Sequence, residues 1–377
     1  MQALPQEASR TTAIAAPVAD NPWASTPVTP IRATNFLGWT NVFLLQNSRA
    51  TAVLVPAIGR LVQFSTDAIP NLFRLDPCLQ GKEPDSSSTF FNIGGDWIWP
   101  VAQSRWPSFS ENGSDWPPPQ VMADAAWDCS AWEDAAGTRC AMLTRKYAAP
   151  LNLIVSRLFL LKPLATELVI HQRIERTDVS DIPVVLWNVS QVANAEQVAM
   201  PVSPESRFPD GLCTLAGTLP SPDRLLSCGD VKIYLVSPGA EIKLGSDSPS
   251  AWLAAARGSH LLFESAAAGN RPGTPPDGGC VIEMYSNEGL GYTEIETLGP
   301  EVNLAPGTVL ENTLRMRLAP LLAFPVPPSL PPPPPPSPPQ HRPNPPPPPL
   351  ISARWRKSAD YWPAPAPPPD PPQGLLF

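Results

Sequence analysis

Proline is crowded into one end of this chain, and that divides it in two. Of 54 prolines, 24 lie between Pro325 and Pro372, in "PVPPSLPPPPPPSPPQHRPNPPPPPL" and "PAPAPPPDPP". Each proline removes a backbone donor and fixes φ, so this stretch can enter neither a sheet nor a helix. Residues 321–377 are therefore expected to form a disordered, extended tail of polyproline II character. It serves either as a spacer without a partner or as a ligand for an SH3- or WW-type domain. The island "ISARWRKSADYW" within it reads as a short docking motif. Residues 1–31 read as a disordered lead-in, without the basic and continuous apolar regions of an intact signal peptide. The folded body is expected over 32–320.

Apolar segments in that body are short and rich in β-branched residues. "TAVLVPAIGRLVQFST" (51–66) reads as two strands turned at "PAIG", and "LNLIVSRLFLLK" with "TELVIHQRIERTD" as a strand pair turned at "PLA". "VVLWNVSQV", "VKIYLVSP", "GGCVIEMYSN", "YTEIETLG" and "NTLRMRL" follow, with Pro, Gly, Asp, Asn or Ser between nearly all of them. "SAWLAAARG" (250–258) is the best helical window. Many short strands separated by turn residues predict an all-β protein, a large antiparallel sandwich or barrel.

The totals exclude several classes. A net charge of −8 and a pI near 5.0 leave no basic footprint for phosphates, so no nucleic-acid partner is expected. No apolar run of about 18 residues exists, so no membrane-spanning helix is expected. The six cysteines show no CxxC spacing, and there are only three histidines. Neither a structural zinc site nor a cofactor is expected. Cys129/Cys140 and Cys213/Cys228 each enclose a hairpin-sized loop and read either as disulfides or as buried thiols. Asn112 and Asn188 begin glycosylation sequons, which leave the compartment open.

Tryptophan is the other outlier. Six of twelve, Trp97, Trp99, Trp106, Trp116, Trp127 and Trp132, follow the paired glycines of "FNIGGDWIWP". Indoles offer flat faces on which sugar C–H groups stack, and Asp96, Gln103 and Arg105 would supply hydroxyl partners. The competing reading is a tryptophan-rich flap over a sheet. Paired glycines suit a close backbone approach, to a ligand or to another strand.

"VLVPAIGRLVQF", "ELVIHQRIERTDVSDIPVVLWNVSQV" and "YTEIETLGPEVNLAPGTVLENTLRMRL" together resemble, in order and spacing, the galactose mutarotase-like (aldose 1-epimerase-like) superfamily. "FNIGGDWIWP" is similar to a branch of uncharacterised function. The resemblance covers residues 32–318. It implies a β-supersandwich of two large antiparallel sheets with a sugar site on a concave face. It also implies proton transfer at an aldose, by a carboxylate base and an imidazolium acid. Glu296 matches the base strand, and Glu294 shares its face by alternation. The family's histidines are missing: Ile93 precedes the glycines, and "LWNVSQV" offers Asn188 and Gln191 instead. His171 is the remaining strand histidine to weigh as an acid. Two functions follow. One is a carbohydrate-binding epimerase acting on an aldose or sugar derivative, with Asp96, Trp97, Trp99, Gln103, Arg105, Trp106, Trp116, Asn188, Gln191 and Glu294 contacting the sugar. The other is a non-catalytic carbohydrate-binding or cell-surface scaffold module with a proline-rich spacer.

Overall fold

The computed structural model describes residues 21–321, apart from 25–26, 86, 88, 238–240, 268 and 288. The proline-rich tail and most of the lead-in lie outside the described residues. Within them the protein is almost entirely β, with strands joined by turns and short 3₁₀ segments. No helix among the described residues is long and apolar enough to cross a membrane.

The strands form two antiparallel sheets. The eleven-stranded sheet runs, in spatial order, Thr29–Pro30, Asp128–Glu133, Arg139–Tyr147, Leu153–Leu161, Glu167–Arg176, Val309–Pro320, His260–Ala266, Trp252–Arg257, Gln197–Pro201, Val231–Leu235 and Leu225–Cys228. The ten-stranded sheet runs Cys213–Gly217, Ile242–Ser246, Ile282–Ser286, Tyr292–Leu298, Trp187–Ala193, Gly95–Trp99, Arg60–Thr66, Ala50–Val55, Trp39–Gln46 and Thr34–Phe36. One apolar core lies between them. Phe159, Ile170, Leu262 and Leu314 enter from the first sheet; Leu54, Ile98, Leu244 and Ile295 enter from the second.

Alternation explains why these segments are strands. In Glu167–Arg176, Leu168, Ile170, Gln172 and Ile174 point into the core, and His171 and Arg173 point out. The hairpin at "PAIG" closes through a 3₁₀ turn, Pro56–Ile58, ending on Gly59 at φ 65°. The window 250–258 is a strand, Trp252–Arg257, where a helix was expected. Its alanines favour a helix in isolation. Here Leu253 and Ala255 fill the inter-sheet core, while Ala254 and Ala256 pack on the outer face beside Ile233 and Leu261. Burial on both faces selects a strand and overrides the local preference.

None of the six cysteines is in a disulfide. Trp132, opposite Cys140, shares its outer-face cluster, whereas Cys129, three residues away, packs on the inter-sheet core. Thiols on opposite faces of a sheet cannot bond. Cys213 and Cys228 belong to different sheets.

Candidate functional site

The strands Gly95–Trp99, Trp187–Ala193 and Tyr292–Leu298 lie side by side in the ten-stranded sheet. Their registers place Gln191 opposite both Gly95 and Glu294, and Val189 opposite both Trp97 and Glu296. Alternation then sends Trp97, Trp99, Trp187, Gln191, Glu294 and Glu296 to the outer face of that sheet. It sends Asp96, Asn188 and Ser190 inward. The two sets meet different chemistry.

The inward set is sealed. Asp96, Asn188 and Ser190 are fully buried, and Arg157 reaches Asp96 at 2.5 Å from the opposite sheet. Asn188 Nδ2 and Ser190 Oγ donate to Asp96 at 2.7 and 3.0 Å, and Gln172 donates to Asn188 at 2.9 Å. Burial raises the Asp96 carboxyl above its usual range, and Arg157 opposes that rise. Glu264 beside it is raised well above, by burial and then by Asp96. Asp96 and Asn188, expected to hold a sugar, therefore hold the two sheets together. Asn188 is likewise inaccessible as a glycosylation acceptor in this fold.

The outer set carries a second charged cluster, and Lys243 is its hub. Lys243 extends from the strand Ile242–Ser246 to Glu283 at 2.7 Å and Glu296 at 3.2 Å, with its ammonium 4.9 Å from the Trp187 ring centroid. Burial works against the Lys243 charge, but Glu283 and Glu296 more than offset this and hold the ammonium above its usual range. Trp187 Nε1 donates to Glu296 at 2.7 Å, and Glu296 is only 2% exposed. The carboxyl of Glu283 is pushed well up by burial, with Lys243 opposing.

Glu294 occupies the open side of this cluster. It is half-buried and accepts from Gln191 Nε2 at 2.9 Å. Gln191 also donates to Asn92 and accepts from Arg74, whose guanidinium lies 4.7 Å from the Tyr292 ring centroid. Burial and the neighbouring charge of Glu296 push the Glu294 carboxyl up to about 7; Gln191, Lys243 and Arg74 restrain it. Burial also raises the hydroxyls of Tyr285 and Tyr292 above the usual phenol range.

The tryptophans form a packed floor beside these groups. Trp99 stands edge-on to Trp97, Trp106, Trp116 and Trp187, with centroids 5.0 to 6.5 Å apart. Trp106 is fully buried and donates to the Val101 carbonyl, and Trp116 stacks on it. Trp97 lies under the Arg60 guanidinium at 4.1 Å and is buried. Only Trp99 and Trp116 of these five keep partial exposure. The Gln103 side chain donates to the Asp115 carbonyl within the loop, and Arg105 is engaged by both oxygens of Glu301. His171 is on the outer face of the other sheet, against Thr313 at 2.9 Å and edge-on to Trp23. Burial, then Arg315, lowers the basicity of its imidazole. It cannot reach Glu296 across the core.

The glycines of "NIGGDW" have a structural reason. A Cβ on Gly94 would lie 2.0 Å from the Arg74 carbonyl oxygen, and one on Gly95 2.5 Å from that of Leu61, both at positive φ. Two backbones close on this strand from either side. Arg60 then donates to the Gly94 carbonyl and pairs with Asp124 at 3.0 Å.

Lys243, Glu283, Arg74 and Asn92 were missed by sequence reasoning. The one available signal was Lys243 itself, a lone cation between Ile242 and Leu244, which places it on the opposite face from two core residues. Among the described residues no cluster of His, Cys, Asp and Glu is arranged to hold a metal.

No family model matches the sequence, and no curated protein matches it. Solved structures similar to it include a galactose mutarotase-like protein from Lactobacillus casei ATCC 334, 13% identical, covering 74% of this chain and 100% of that one, with a TM-score of 0.49. A galactose mutarotase related enzyme from Lactobacillus acidophilus is 8% identical, covering 74% of this chain and 97% of that one, with a TM-score of 0.45.

Proposed function

We propose that this protein binds a carbohydrate on the outer face of its ten-stranded sheet, and that Glu294 moves the anomeric proton of an aldose or sugar derivative there. One observation carries the reading: a half-buried carboxyl pushed up to about 7, at the open side of a cluster of polar side chains. At neutral pH such a group is both a proton acceptor and a proton donor. It can take the proton from the anomeric hydroxyl and return one to the ring oxygen, the part the absent histidines would otherwise play. Glu296, the residue its strand motif marks as the base, is occupied by Trp187 and Lys243, and its charge helps to raise Glu294. Asn92, Gln191 and Arg74 offer hydroxyl partners, and Trp99 with Trp116 the apolar edge.

A second reading is favoured by the burial of Glu296 and Trp97: a carbohydrate-binding module without catalysis, whose proline-rich tail is a spacer or an SH3- or WW-type ligand. One experiment separates the two. Saturation-transfer NMR on the full chain against monosaccharides and oligosaccharides, followed by anomeric exchange spectroscopy, should give binding with accelerated exchange. Glu294→Gln should keep the binding and lose the exchange. Binding without exchange in the unaltered protein establishes the module. Absence of binding to every sugar overturns both readings.

A further inference from the structure

The cysteine pair that matters is one that spacing along the chain does not suggest. Cys213 begins the edge strand of the ten-stranded sheet and lies directly opposite Gly245. Cys280, in the segment just before the strand Ile282–Ser286, covers Gly245 from above. A Cβ built on Gly245 would stand 2.4 Å from Cys280 Sγ and 3.0 Å from its Cβ. Directly opposed strand residues have their Cβ atoms about 5 Å apart. The missing side chain of Gly245 is therefore the space that lets Cys280 sit one cross-strand gap from Cys213. Of the other four cysteines, Cys78 and Cys228 are exposed, and Cys129 and Cys140 face opposite sides of their sheet.

We propose that Cys213 and Cys280 form a thiol–disulfide site at the rim of the Lys243 cluster, oxidised by exchange with a small disulfide of the glutathione class. Cys213 is the partly exposed member and reacts first. Its thiolate displaces one thiolate from the small disulfide, giving a mixed disulfide. The Cys280 thiolate then displaces the second, giving Cys213–S–S–Cys280. The two protons lost by the cysteines end on the two released thiols, and two electrons pass to the small disulfide. Both thiols are surrounded by acid. Burial and Glu283 raise each of them above the usual thiol range, with Asp277 adding to the effect. Exchange is therefore slow near neutrality and accelerates as the pH rises. The bond would tie the edge strand to the segment that delivers Glu283.

The test is to incubate the folded full chain with glutathione disulfide, block remaining thiols with N-ethylmaleimide, and map the peptides without reduction. The expected result is one peptide pair joined through Cys213 and Cys280, formed faster at pH 9 than at pH 7. Its thermal midpoint should rise by about 5–10 °C and return on reduction. Cys78→Ser and Cys228→Ser should leave the link intact, while Cys213→Ser and Cys280→Ser should abolish it. Circular dichroism of each serine variant separates loss of the link from loss of the fold. Glutathione retained on Cys213 with Cys280 unlinked, or both cysteines blocked by maleimide, overturns the proposal.

Discussion

Two charged clusters lie on opposite faces of the ten-stranded sheet. On the inner side Arg157 serves Asp96, with Glu264 beside them. On the outer side Lys243 serves Glu283 and Glu296, with Glu294 beside them. Each has more carboxyls than cations, and burial raises the surplus acid in both. What separates them is access to water. Glu264 is fully buried, and burial raises its carboxyl well above the usual range, where water cannot exchange a proton with it directly. Glu294 is half-buried and stops at about 7, which leaves it able to gain and lose a proton. Similar composition produces structure on one side and candidate chemistry on the other, because one side opens to solvent.

Breaking the inner cluster should have the largest effect. Arg157→Leu leaves the Asp96 carboxyl buried without its cation, and the expected loss is about 3–5 kcal/mol in urea unfolding. The double variant Arg157→Met with Asp96→Asn should recover most of that, because both charges are then gone. Lys243→Met should cost less, about 2–3 kcal/mol, because the Glu283 carboxyl, already pushed well up by burial, can neutralise by taking up a proton.

A smaller effect sharpens the comparison. The Glu294 carboxyl rises from 4.5 to about 7 on folding, so it takes up protons with folding in that window. Its contribution to stability is fully present below pH 4.5, is lost as the pH rises to about 7, and is constant above. Glu294→Gln should remove that part of the slope, so its stability relative to the unaltered protein climbs between pH 4.5 and 7 and then levels off. Denaturant midpoints across this range check it; a flat difference would mean that Glu294 is ordinary. The smallest effect is expected at Arg105→Ala. Its pair with Glu301 is half exposed and belongs to neither cluster, so less than about 1 kcal/mol should be lost.

The sheets were legible because a strand's side chains alternate, and alternation survives in a single sequence. The strand at Trp252–Arg257 was not legible, because its alanines are selected by what covers both faces, and no local pattern records that. The site was half legible by the same rule. Alternation alone puts Glu294 with Glu296, and Trp97 with Trp99. The same alternation separates Asp96 from Trp97, although grouping by residue type had joined them. Lys243 lay beyond reach for a different reason. Its partners Glu283 and Glu296 reach it only through the spatial order of strands far apart in the chain.

The glycine pair at 94–95 has a consequence for the whole arrangement. A strand that slipped by one residue would bring Ile93–Gly94 or Gly95–Asp96 to the two places where neighbouring carbonyls leave no room for a Cβ. Either shift meets backbone, which cannot turn aside. The pair is thus a register lock. It fixes which of Asp96 and Trp97 points inward: a slip of one residue would turn Asp96 to the outer face and Trp97 toward Arg157.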